Sequence, residues 1–257
     1  MSKLKIFAIV FTAVIGLTSA ANAATIILAS DDFVGISFWL ISMGTLAATA
    51  FFFLERGSVA TNWKPSVTVA GLITGIAFVH YMYMKNIWIE TGDMPIVYRY
   101  IDWIITMPLI MLEFYLLPAA VRKVSFNIFW RILAGSLVMV VGGFLGEMNY
   151  INTFLGFVIA MGGWIYILYE IYSGEIGTIV AKSGNKALVN SYSAMRIIVT
   201  IGWAIYPLGY VFGYLTGDVE SNSINIVYNL VDFINKIAFG LIIYACAVSN
   251  TGSRARY

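Results

Sequence analysis

The chain has 257 residues, 60% of them hydrophobic and only 11% charged, with a mean hydropathy of +0.86. That balance describes a polytopic membrane protein rather than a soluble domain. A formal net charge of +2, with no basic run beside exposed aromatics, argues against nucleic-acid binding; a single cysteine (Cys246) and a single histidine (His80) exclude a disulfide framework and a metal site of thiolates or clustered imidazoles.

Residues 1–23 read as a cleaved signal peptide. Lys3 and Lys5 form a positive start, Ile6 to Leu17 an apolar core, and Ala21-Asn22-Ala23 a small-residue cleavage site. The mature domain, 24–257, then carries apolar runs with polar flanks at 33–54, 66–88, 96–117, 126–146, 151–171, 193–215 and 224–248. Each is long enough to cross the hydrocarbon. The expected fold is therefore an all-α membrane protein, a bundle of seven transmembrane helices. Thr61–Pro65 and Pro118–Ser125 read as turns, and Glu90–Pro95 as a small hairpin because Gly92 permits positive φ. Ser173–Asn190 is the longest polar loop. Gly142-Gly143 and Gly162-Gly163 are expected to permit close helix packing.

Lys and Arg placement sets the orientation. Arg56, Lys64, Arg122, Lys123, Lys182, Lys186, Arg254 and Arg256 fall on one side. Asp31, Asp32, Glu90, Asp93, Asp218 and Glu220 fall on the other, with Lys85 the main exception. The mature N-terminus is thus expected outside and the C-terminus in the cytoplasm.

The third run carries Arg99, Asp102 and Glu113 at membrane depth, where ionisable groups are costly and mark function. Asp102 and Glu113 return to nearly the same helix face, ~16 Å apart along the axis, like two stations on a proton path. The seventh run holds Asp232 and Lys236, four apart on one face. They read either as an ion pair that lets the helix insert or as part of a working cluster. Arg99 and Lys236 balance Asp102 and Asp232, but apolar residues would serve stability better. A desolvated lysine among carboxylates suits attack on a carbonyl. The sixth run offers a pocket wall: Trp203, Tyr206 and Tyr210 share a face, and Pro207 opens the backbone ladder in mid-span. Trp103 follows Asp102. Glu147 reads as an interfacial carboxylate that could also help proton release, and Glu170 as a solvated end group.

Three motifs stand in order. They are Arg99, Tyr100, Asp102, Trp103, Thr106, Pro108, Leu109 and Glu113 on the third run; Trp203, Tyr206 and Pro207 on the sixth; Asp232 and Lys236 on the seventh. With them the whole mature chain resembles the microbial rhodopsins, and within these the proteorhodopsins. That resemblance implies a light-driven ion transporter, not an enzyme. It implies all-trans-retinal carried on Lys236 as a protonated Schiff base. Asp102 would be the proton acceptor and counterion, Asp232 the second counterion and Glu113 the cytoplasmic donor. Arg99 would tune the counterion and gate the outward half-channel, and His80 would modulate the acceptor. Trp103, Thr106, Trp203, Tyr206, Pro207 and Tyr210 would form the pocket; Ile110 would tune colour, its apolar side chain resembling the green-absorbing type.

The expected activity is outward proton pumping in the inner membrane of a bacterium. Expected partners are the lipid bilayer, protons and further copies of the chain in a pentamer or hexamer, with His80 near the protomer interface. A photosensor working through a membrane transducer is the rival reading, against which Glu113 speaks. A chloride pump would want a neutral residue at Asp102, and a retinal-free channel would leave Lys236 and Asp232 as a structural pair.

Overall fold

The computed structural model describes residues 27–252. The expected signal peptide, and Arg254 and Arg256, lie outside the described residues. Seven helical spans are long and apolar enough to cross a membrane. Five are single helices: α1 (Phe33–Glu55), α2 (Lys64–Thr91), α3 (Ile96–Ala119), α4 (Asn127–Glu147) and α5 (Thr153–Tyr172). A short α6 (Glu175–Ala181) follows. The sixth span is composite: α7 (Lys186–Ile197), a wide π turn (Ile198–Gly202), α8 (Ile205–Tyr210) and a second π turn (Val211–Leu215). The last span is α9 (Ser221–Thr251). Chain neighbours pack against each other, and α9 closes the bundle against α1, α2 and α7.

Local chemistry sets the helix ends. The Asp32 carboxylate caps α1 by accepting from Gly35 N at 2.8 Å, and it also accepts from Trp88 Nε1 at 2.9 Å, tying the start of α1 to the end of α2. Pro65 stands in the first turn of α2, where its missing N–H costs nothing. Gly92 ends that helix at φ +71°, as its freedom allows. No hairpin forms there: 92–95 is a tight link straight into α3, and no strand occurs among the described residues. The expected loop at 173–190 is mostly helix, because Asn185 caps α7 by accepting from Leu188 N at 2.9 Å. The helices overrun the expected limits, since an α-helix continues past the hydrocarbon until a cap stops it.

The charged groups lie inside, within a largely apolar core, and the outside is apolar as well. Arg99, Asp102, Glu113, Asp232 and Lys236 are all buried, whereas Ile201, Ile234 and Phe154 are at least 60% exposed. In water that surface would aggregate; in lipid it is the solvent face. Buried hydroxyls satisfy themselves on their own helices, as with Ser42, Thr45 and Thr49, and Thr49 also bonds to Thr74 at 2.9 Å across α1 and α2. Glu170, expected as a solvated end group, is instead 5% exposed and gripped by Arg131 at 3.1 Å and Tyr166 at 3.2 Å. It joins α5 to α4.

Helices α4 and α5 meet backbone to backbone. A Cβ on Gly156 would lie 2.5 Å from the Gly146 Cα, and one on Gly163 2.6 Å from the Met139 N. Of the expected glycine pairs, Gly142 and Gly163 serve this seam, Gly143 makes room for the Tyr100 hydroxyl, and Gly162 faces open space. Because backbone cannot step aside, Gly156→Leu is expected to lower stability by about 1–3 kcal/mol or more, read as a drop in melting temperature of the detergent-solubilised protein.

Candidate functional site

Helix α9 presents Asn225, Asn229, Asp232 and Lys236 along one buried face. The Lys236 ammonium pairs with Asp102 Oδ2 from α3 and with Asp232 Oδ2 one turn away at 3.1 Å. The lysine is 2% exposed and both carboxylates are fully buried, so the pairs are dry and depend on their hydrogen bonds.

The two carboxylates differ in how they are satisfied. Asp232 accepts from Tyr81 OH of α2 at 2.5 Å, Trp103 Nε1 of α3 at 3.2 Å, Tyr206 OH of the sixth span, and Lys236. Asp102 has Lys236 on one oxygen, and its Oδ1 has no hydrogen-bond partner. Thr106 bonds back to the Asp102 carbonyl at 2.9 Å. Asp232 is thus held as an anion by four donors, whereas Asp102 keeps a free acceptor position.

Arg99 is 1% exposed and forms no ion pair among the described residues. Its guanidinium donates to Tyr81 OH at 3.1 Å and to the carboxamide oxygens of Asn225 and Asn229, each at 2.9 Å. Asn229 is fixed in turn by donating to Ser37 Oγ at 2.8 Å. The rings of Phe38, Tyr81 and Tyr228 surround the cation at 5.7–5.8 Å. Arg99 therefore reaches Asp232 through Tyr81. His80, half-buried on α2, lies within electrostatic reach of Asp102 but makes no hydrogen bond to it.

Beside the ion cluster lies a partly open aromatic cavity. Trp103, Trp203, Tyr206, Pro207 and Tyr210 line it, as expected, together with Tyr100, Met107, Met139, Trp164, Tyr228 and Glu147. Thr106 and Ile110 are buried but do not line it. Trp103 and Tyr206, in edge contact at 5.1 Å, belong to both the cavity wall and the Asp232 shell. The π turns let the sixth span present this wall. The Trp203 N–H reaches back to the Ile198 carbonyl at 3.0 Å, and the Thr216 N–H to Val211 at 2.9 Å. Trp164 of α5 donates to the Val199 carbonyl at 2.9 Å. Pro207 has no N–H to offer Trp203, whose carbonyl accepts from Tyr206 at 3.1 Å instead.

Glu113 stands apart, toward the opposite end of α3 from Arg99. It is fully buried and neither carboxyl oxygen has a hydrogen-bond partner; the buried Ser66 hydroxyl of α2 faces it. Phe114 and Leu117 pack beside it with no exposure.

Residues 32–250 match the family model described as bacteriorhodopsin-like protein. The chain belongs to the bacteriorhodopsin-like family. It is 51% identical over 225 residues to the blue-light absorbing proteorhodopsin of Gamma-proteobacterium Hot 75m4, covering 87% of this chain and 89% of that protein. It is 48% identical to the green-light absorbing proteorhodopsin of Gamma-proteobacterium EBAC31A08, covering 87% and 90%. The crystal structure of the blue light-absorbing proteorhodopsin from Med12 matches with a TM-score of 0.75 and 47% identity, over 85% of this chain and 100% of that one. Exiguobacterium sibiricum rhodopsin matches with a TM-score of 0.76 and 30% identity, over 86% and 98%. This bacteriorhodopsin-like chain is accordingly a multi-pass membrane protein of a family that carries a retinal chromophore. Its residues fit that group: an aromatic, apolar cavity shares Trp103 and Tyr206 with the shell of a buried lysine paired to two carboxylates.

Residues that sequence reading missed are Tyr81, Ser66, Asn225 and Asn229. The asparagines carried a signal, since they continue the Asp232–Lys236 face toward the N-terminus of α9. Tyr81 carried none beyond standing next to His80.

Proposed function

We propose that the chain is a light-driven outward proton pump of a bacterial inner membrane, with all-trans-retinal held at Lys236 in the cavity of Trp103, Trp203, Tyr206, Pro207 and Tyr210. The observation that carries this reading is the asymmetry of the two carboxylates. Asp102 has an unused acceptor oxygen beside Lys236, and Asp232 has none.

Retinal bound to Lys236 supplies light absorption and a photoisomerisation that reorients the proton held at the lysine nitrogen. Asp102 accepts that proton. Asp232 stays ionised, because protonating it would forfeit several charge-assisted hydrogen bonds at once. Tyr81 and the two asparagines hold Arg99 on the outward side of the pair. His80 adjusts Asp102 through its charge, at a distance. Glu113, fully buried with no cation paired to it among the described residues, starts as the neutral acid and returns a proton to Lys236 from the cytoplasmic side. Moving one charge outward costs about 2.3 kcal/mol per 100 mV of potential.

The mature N-terminus is outside in this scheme and the C-terminus is cytoplasmic. Residues 1–23 act as a cleaved signal. His80 neighbours the exposed Val79 and Tyr83, which supports a place near the interface of a pentamer or hexamer. Ile110 makes the pigment green-absorbing, and a blue-absorbing purified pigment overturns that assignment. Thr106 supports the site by bonding back to the Asp102 carbonyl.

Illuminated cells expressing the chain are expected to acidify their medium with retinal supplied. They do not do so without retinal or with a protonophore. A coloured pigment that moves no protons and recovers over seconds would instead favour the photosensor.

A further inference from the structure

We propose that Glu147 is the carboxyl through which the proton leaves Asp102 for the outside; this rests on the pumping direction proposed above. Expected as an interfacial carboxylate, Glu147 is only 7% exposed and forms part of the cavity wall. It stands at the end of α4, on the end of the bundle that carries Arg99, Asn225 and the start of α3. The polar groups facing it come from each neighbouring element: the Tyr100 hydroxyl and Arg99 guanidinium from α3, the Tyr214 hydroxyl and Tyr210 from the sixth span, and Tyr228 from α9.

The backbone is shaped for these contacts. Gly143, one turn before Glu147, leaves the space that the Tyr100 hydroxyl fills, for a Cβ there would stand 2.8 Å from it. Tyr100 packs edge-on against Trp103 at 5.1 Å, next to the Asp232 shell. Tyr228, Tyr206 and Trp103 form one aromatic cluster with ring centroids 5.1–5.9 Å apart. Tyrosines thus stand between the ion cluster and a carboxyl near the bundle end, with Arg99 the cation in reach of both; the Tyr228 and Tyr210 hydroxyls donate to the backbone carbonyls of Tyr206 at 3.0 Å and Thr153 at 2.9 Å, so water has to complete the path. No other carboxylate among the described residues lines the cavity. The proton balance is simple. Glu147 passes one proton to the medium, and one from Asp102 replaces it through the tyrosine hydroxyls and intervening water. An isosteric amide cannot do this, since it neither gains nor loses a proton near neutral pH.

The test follows two time courses after a flash on the retinal-loaded pigment. One is loss of the proton at Asp102, read as its infrared carboxyl band. The other is the appearance of a proton in the medium, read with a pH dye. In E147Q the lag between them is expected to lengthen roughly tenfold or more, with proton uptake on the Glu113 side unchanged and E147D restoring most of the rate. Tyr100→Phe, which leaves the carboxyl in place, lengthens the lag in the same sense and decides the matter should E147Q fail to form pigment. A lag unaltered in E147Q, or in Tyr100→Phe where that variant must decide, overturns the relay. A wild-type pigment that releases no proton overturns the pump reading instead.

Discussion

Asp102→Asn is expected to abolish light-driven acidification while leaving the cavity intact. The substitution keeps the shape of the side chain and removes the one carboxylate beside Lys236 with a free acceptor oxygen. Loss of a proton acceptor costs on the order of 10²–10⁴ in rate. It also leaves Arg99 and Lys236 facing Asp232 alone, and breaking a buried pair costs about 3–5 kcal/mol. The protein should therefore melt at a lower temperature as well. The measurements are the initial rate of pH change in illuminated cells and the melting temperature of purified protein. Acidification at the wild-type rate would exclude Asp102 as the acceptor. Asp232→Asn is a useful contrast, since it removes the charge that faces Lys236 and turns one of the two oxygens shared by Tyr81, Trp103, Tyr206 and Lys236 into a donor. Its larger effect should fall on folding and pigment formation.

Glu113→Gln is expected to leave the first proton transfer intact and to slow the return of a proton to Lys236 by roughly 10²-fold or more. The amide fits the same dry site but carries no transferable proton. Reprotonation must then draw on water at the Glu113 end of the bundle, past Phe114 and Leu117, so recovery of the purified pigment slows further as pH rises and protons become scarce. Flash-induced absorbance recovery at several pH values checks this. A recovery rate that is unaltered and independent of pH would remove Glu113 from the path.

Seven spans and the charged cluster were legible because both rest on large free energies: burial of apolar length in lipid, and the cost of a charge at membrane depth. Lys236, Asp102 and Asp232 meet for that reason, and the Trp203–Tyr206–Tyr210 face does line the cavity. The failures were of smaller energies. Whether Glu90–Pro95 turns as a hairpin or a link, and whether Ser173–Asn190 is loop or helix, depends on single caps worth about 1 kcal/mol. Glu147 and Glu170 stand at span ends, where a sequence does not distinguish a side chain turned inward from one turned to water. Tyr81, Asn225 and Asn229 are uncharged, so their presence in mid-membrane raised no alarm. The π turns left no mark at all, because a five-residue step differs from a four-residue step only in backbone bonding.

Those two wide turns have a consequence for comparing chains. Each holds one residue more than an α-helical turn would need, and one residue is about 100° of rotation. Between Ile198 and Leu215 the numbering therefore runs ahead of the geometry twice. A relative built with a regular helix there would require a one-position gap on either side of the Trp203–Tyr210 block to superpose. Deleting one residue from 198–202 is accordingly a milder perturbation than deleting one from 205–210: the wide turn would close to an ordinary one with Trp203, Tyr206 and Tyr210 still facing the cavity, whereas a deletion inside the regular helix would turn part of that wall away.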